Sequence, residues 1–133
     1  HRMGFDSHHA IPFAQAIGEH LPFPSGKFPC VSFMSTLDHQ IDPLVSLREA
    51  WRVLKPGGFI WLWLDLREDT DGRYWWWKQQ PPGTLYNEHH QHAFIQADIE
   101  RLLSDAGFRW LGMDTYAGTY QWPSTTLVLG AKP

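Results

Sequence analysis

Two titratable side chains stand together at Asp38-His39, just past the apolar run over residues 28–35. Histidine changes charge near neutral pH, so the pair suits a proton transfer. The plainer alternative is that His39 caps or packs the helix that follows. A second group, Glu19-His20, comes directly after a strand predicted over 13–18. A carboxylate there faces a ligand more readily than a core, because burying it unpaired is costly. In Asn87-Glu88-His89-His90-Gln91-His92, His90 and His92 have the spacing of two ligands on a strand. Zinc needs convergent ligands held by a scaffold, and this stretch reads as loop, so no metal site is assigned. Tyr74-Trp75-Trp76-Trp77 sets four aromatics in a row. They cannot all share one face of a helix or strand, so some are exposed or cover an apolar or planar ligand or a partner protein; packing over a missing N-terminal half explains them equally well.

The chain that positions these groups has 133 residues, room for one domain with an ordinary core. Its 43% hydrophobic and 19% charged content is that of a soluble globular protein. A net charge of −3, with Lys and Arg scattered, leaves no basic surface for nucleic acid. Cys30 is the single cysteine, which excludes an internal disulfide and fits a reducing cytoplasm. No apolar run approaches the roughly 20 residues needed to span a bilayer, so no membrane partner is expected. The sequence opens on His1 without a signal-peptide pattern. It reads as a single partial domain over 1–133 that lacks its N-terminal portion.

Residues 28–35 form an apolar run bounded by turn residues, which predicts a strand buried on both faces. Asp42-Pro43 opens a helix, with Asp42 as cap and Pro43 at the first helical position. Leu44, Leu47, Trp51 and Leu54 share its apolar face. Gly57 is expected to supply the left-handed residue that ends it. The run Phe59–Asp65 then predicts a buried parallel strand. Residues 66–93 are a long connection, with a short helix expected near Tyr74–Lys78. A second helix spans about Gln96 to Ala106, turns Ile99, Leu102, Leu103 and Ala106 inward, and stops at Gly107. Phe108–Tyr116 and Thr125–Ala131 are read as an antiparallel hairpin. Alternating strands and helices imply a parallel sheet with helices on both faces.

This order and three motifs resemble the class I S-adenosylmethionine-dependent methyltransferases of the ubiquinone-biosynthesis-like type. The motifs are the segment from Gly18 to Phe28, the segment from Val31 to His39 closing at Asp42-Pro43, and Arg52-Val53-Leu54-Lys55-Pro56-Gly57-Gly58. Ala106-Gly107-Phe108 is similar to the family's last helix-to-strand junction. The resemblance covers about residues 4 to 131. It implies an α/β fold: a Rossmann-like, mostly parallel sheet with a C-terminal antiparallel hairpin, truncated at the N-terminus. It implies S-adenosylmethionine as cofactor, held by Asp6, Gly18, Glu19, His20, Phe33, Met34 and Ser35. Asp6 would take the ribose hydroxyls, with a frayed terminus as the alternative; for Phe33 and Met34 the alternative is simple core packing. His39 would lie near the methyl as the catalytic base. Residues 66–93 correspond to the family's substrate lid, so Trp75, His90 and His92 would line the pocket of a small-molecule acceptor. An exposed loop is the alternative for the histidines.

Three departures stand against a full site. The family's Gly-rich loop is absent, Ile17 stands where many relatives carry an Asp for the adenine amino group, and Pro29 replaces another Asp. They favour the rival expectation, a non-catalytic Rossmann-like remnant serving binding or assembly. Its partner would be a second copy or the missing N-terminal segment.

Overall fold

The computed structural model describes residues 14–66, 91–119 and 122–133, and the side chains of these except 117–119 and 122–125. The chain forms β1 (Phe28–Met34), α1 (Pro43–Val53), β2 (Leu54–Leu64), α2 (Gln96–Asp105), β3 (Arg109–Thr119) and β4 (Trp122–Ala131), with a short 3-10 turn at Leu37–His39 between β1 and α1. The sheet order is β1-β2-β4-β3. β1 pairs parallel with β2, and β4 pairs antiparallel with both β2 and β3. Two reversals cancel, so β3 points the same way as β1 and β2. The sheet is therefore mostly parallel in direction, with β4 inserted by its hairpin, as expected.

That order also decides where the helices lie. The connection through α1 steps from β1 to β2, and the connection through α2 steps onward from β2 to β3 in the same direction. Right-handed crossovers that advance the same way place their helices on one face. α1 and α2 indeed touch each other and share one core with Ile60, Leu62, Leu64 and Val128. This corrects the expectation of helices on both faces: both described helices cover the same side. The strands alternate accordingly. Ile60 and Leu62 are fully buried, whereas Phe59 and Trp63 on the opposite face are 47% and 38% exposed. β1 likewise buries only Phe33 fully and is not closed on both faces.

Local chemistry sets the element ends. Asp42 Oδ1 accepts from the backbone N–H groups of Leu44 at 3.0 Å and Val45 at 3.1 Å, so the predicted cap and proline start α1. The predicted apolar stripe is shifted. Pro43, Ser46, Leu47, Ala50 and Val53 are buried, while Leu44 and Trp51 lie at the margin. Gly57 does not end α1. Leu54 already turns extended (φ −71°, ψ 141°) and pairs with Phe28, and Cys30 next pairs with Phe59. The Lys55–Gly58 stretch thus bulges out of β2, and Gly57 uses its φ of 75° there. α2 behaves as read: Ile99 and Leu103 are buried and Gly107, at φ 93°, follows its end. The hairpin arms run further than expected, to Thr119 and from Trp122.

One predicted element is missing. Residues 14–16 have no regular structure, and Ile17 and His20 form an isolated bridge across a turn instead of a strand over 13–18. Residues 14–17 are exposed. No described strand flanks the outer edge of β1, and a lone extended segment cannot satisfy its own backbone groups. The expected helix near Tyr74–Lys78 lies outside the described residues.

Candidate functional site

In open sheets of this kind ligands bind beyond the carboxyl ends of the parallel strands. β1 ends there with a change of hand. Ser35 still donates its N–H to the Trp63 carbonyl at 2.9 Å, but it takes φ 48°, the sole positive φ at a non-glycine among the described residues. The chain then plunges to Leu37, which is fully buried and anchors the 3-10 turn that carries Asp38 and His39. His39 Nε2 lies 3.9 Å from Asp38 Oδ2, and the imidazole is 42% exposed. The pair is close enough for charge attraction, and the ring remains open to solvent.

Two other segments converge on this turn. The first is the loop from Gly18. A Cβ on Gly18 would run into the end of the Gln40 side chain and meet Ser46 Oγ at 3.0 Å, so a larger residue there would displace the Gln40 amide. Gln40 is fixed in turn: its Nε2 donates to the Thr36 carbonyl at 2.9 Å, and its Oε1 accepts from Ser46 Oγ at 3.2 Å. Next along the loop, Glu19 Oε1 accepts from the Asp42 N–H at 2.9 Å. Burial alone would raise the Glu19 carboxyl. Hydrogen bonds from the backbone, that of Asp42 foremost and then Glu19 and Ile41, outweigh it and hold the group below its ordinary value. Glu19 is therefore a carboxylate already tied to the start of α1.

The second is the stretch before α2. The N–H groups of Gln91 and His92 both donate to the Asp38 carbonyl, at 3.0 and 3.1 Å. Gln91 Nε2 donates to the His39 carbonyl at 3.3 Å. His92 Nε2 lies 2.8 Å from the Gln40 carbonyl. A carbonyl can only accept, so this nitrogen carries the proton and Nδ1 is the bare one in the neutral ring. The ring also stacks on Phe94, with centroids 5.8 Å apart. Asp98 closes the junction by accepting from the Ile95 N–H at 3.3 Å.

The structure thus brings Gly18, Glu19, Ser35, His39 and His92 to one edge, joined through residues 36–42. Met34 is exposed beside Ser35, whereas Phe33 is buried in the core cluster. His20 is exposed, and its N–H donates to the Ile17 carbonyl at 3.1 Å. Asp6, Trp75 and His90 lie outside the described residues. Among the described residues no group of three or more His, Cys, Asp or Glu is arranged to hold a metal ion. Nor is any described helix long and apolar enough to cross a membrane.

Sequence reasoning missed the connectors. Gln40 carries no signal by itself. Glu49 and Arg52 do, since acid and base three apart on a helix are neighbours. Arg52 donates to Glu49 through Nε at 2.8 Å and Nη2 at 2.8 Å. The guanidinium beside it outweighs a burial effect in the other direction and brings the Glu49 carboxyl down to about 2.

Residues 2–62 match the family described as a methyltransferase domain. The chain is 44% identical to the ubiquinone/menaquinone biosynthesis C-methyltransferase of Nitrosospira multiformis, over 74% of this chain and 47% of that protein. It therefore spans about half the length of this curated relative. Among solved structures, a SAM-dependent methyltransferase from Methanosarcina mazei superposes with a TM-score of 0.70 at 20% identity, covering 88% of this chain and 65% of that one. The 1,6-didemethyltoxoflavin-N1-methyltransferase of Burkholderia thailandensis, solved with 1,6-didemethyltoxoflavin and S-adenosylhomocysteine, gives 0.66 at 18% identity, covering 86% and 48%. At such identities the structural likeness speaks for the fold.

Proposed function

We propose that the chain, whose residues 2–62 match a methyltransferase domain and whose fold is that of S-adenosylmethionine-dependent methyltransferases, forms part of an enzyme of that class moving a methyl group to a small molecule. The observation that carries the reading is the convergence of three loops, around Gly18, Ser35 and His92, on the carboxyl edge of the parallel strands. Family membership alone would not fix a reaction, since one fold hosts many.

The donor set suits one side of an adenosyl group. The turn from Ile17 to His20 offers main chain and an exposed apolar side chain, and Met34 offers a second exposed apolar surface at the tip of β1. Gly18–His20 and Met34–Ser35 would hold S-adenosylmethionine, which supplies an electrophilic methyl when bound. Glu19 serves this chiefly by tying its loop to Asp42, and Phe33 by seating the strand tip in the core. His39 would act as the base that takes the acceptor's proton, from a ring open to solvent at the turn after β1. His92, held through Nε2, would present Nδ1 to the acceptor. Asp6, Trp75 and His90 extend the same reading to ribose and acceptor contacts. Much of the acceleration in such an in-line displacement comes from alignment, which these fixed loops favour. A cytoplasmic location follows as part of the proposal.

Calorimetry with S-adenosylhomocysteine tests it, on this chain and on a version extended to the length of the curated relative. Binding by the longer protein, with His39→Ala binding equally well but transferring the methyl about 100-fold more slowly, is the expected result. Absence of binding by the longer protein would sink the enzyme in favour of a non-catalytic remnant.

A further inference from the structure

The loop that brings Gly18 and Glu19 to the strand tips follows α1 along its length. At the amino end of α1 it is held by Gln40, Asp42 and Ser46. At the carboxyl end, the N–H groups of Gly26 and Lys27 donate to the carbonyls of Arg52 and Val53, at 2.9 and 2.7 Å. Between these anchors lies Leu21-Pro22-Phe23-Pro24-Ser25, where two prolines remove two backbone donors. Such a stretch cannot build a ladder of its own and needs outside partners.

Glu49 and Arg52 provide them. Glu49 Oε2 accepts from the Leu21 N–H at 3.0 Å. Arg52 Nη2 donates to the Leu21 carbonyl at 3.1 Å, and Nη1 donates to the Phe23 carbonyl at 2.8 Å and to Ser25 Oγ at 3.3 Å. One ion pair thereby grips both sides of Leu21 and two later residues. The fork matters, because a guanidinium reaches several acceptors at fixed angles whereas an ammonium is a single point. Leu21 is two residues from Glu19. With Gly18 wedged against Gln40 and Leu21 gripped, Glu19 and His20 have fixed ends on either side.

We propose that Glu49 and Arg52 are a positioning pair that holds the Glu19-His20 segment at the strand tips, and so sets the affinity for the methyl donor without touching it. The donor part rests on the function proposed above; the holding of the segment does not. The pair differs from an ordinary surface bridge, worth little by itself, because its partners are carbonyls and an amide of another segment.

The test compares wild type, Arg52→Gln and Arg52→Lys in the full chain and in the extended protein. Amide hydrogen exchange is read at His20, Leu21 and Asp42, together with S-adenosylhomocysteine affinity and thermal unfolding. In Arg52→Gln, exchange at these three amides is expected to speed by about tenfold or more while the amides of β2 keep their protection. The affinity is expected to fall by about tenfold. Arg52→Lys, which keeps the charge and loses the fork, should recover part of the affinity; it also stands in if Arg52→Gln does not fold. Unchanged exchange at the three amides overturns the proposal. So does faster exchange spread evenly over the sheet, which marks a merely structural pair, or local loosening with unchanged affinity. If wild type binds no S-adenosylhomocysteine, the function proposal falls, and local loosening alone then upholds or refutes the holding role.

Discussion

Ser35 leaves β1 in the left-handed region at φ 48°, where a side chain meets the following carbonyl at a cost of about 1 kcal/mol. Strain of that kind persists where the surroundings enforce it and often marks a working position. Here the surroundings are the last ladder bond to Trp63 and the buried Leu37 two residues on. Ser35→Gly should therefore raise thermal stability by about 0.5–1 kcal/mol. If the hydroxyl meets the donor, affinity for S-adenosylhomocysteine falls in the same variant. Calorimetry and a melting curve read the two effects separately. Some residues of the site were legible because their chemistry is local: Asp42 caps the amides two and three ahead of it, as its position before Pro43 requires. Gln40 was not legible. Its partners, Gly18, Ser46 and His92, are brought to it by separate elements.

At the level of elements, the carboxyl end of α1 is closed from far away. Lys132, almost at the end of the sequence, places Nζ 2.9 Å from the Trp51 carbonyl and 2.8 Å from the Leu54 carbonyl. The same ammonium sits 3.7 Å from the centroid of the Trp51 ring, a favourable cation–π geometry. Its backbone N–H also donates to the Gly58 carbonyl at 2.8 Å, and its carbonyl accepts from the Gly57 N–H at 3.1 Å. The bulge that Gly57 makes possible is thus the surface on which Lys132 docks. Lys132→Met keeps the apolar stem and strands two carbonyls, so stability should drop by about 1–3 kcal/mol. A urea titration with unchanged slope would register it as a loss of stability alone. The helix, the turn and the strand were readable from the Lys55-Pro56-Gly57-Gly58 pattern. The role of Gly57 was not, because helix stop and strand bulge ask for the same positive φ and differ only in what lies opposite.

At the scale of the molecule, the step direction of the two crossovers gathers both described helices on one face and the three parallel strand ends on one edge. The ion pair of Glu49 ties the irregular segment 18–27 to that frame. With the Glu49 carboxyl lowered from an ordinary 4.5 to about 2, its contribution is complete above the ordinary value and disappears as pH falls toward the lowered one. Stability should therefore decline between about pH 4.5 and 2 in wild type, and Glu49→Gln should flatten that part of the profile while lowering stability at pH 7. Chemical unfolding at stepped pH measures the difference. By itself the sequence determined which of the described segments from β1 onward are helix and strand, and where α1 begins and α2 ends. Those features depend on neighbours within a turn or two of chain. Only the tertiary structure decided that residues 14–17 stay out of the sheet, that both described helices share a face, and that Gln40, Arg52 and Lys132 join distant segments. Hydrogen bonds between parts of the chain 23 to 81 residues apart leave no period or local pattern, since each is made only after the sheet has brought its partners together.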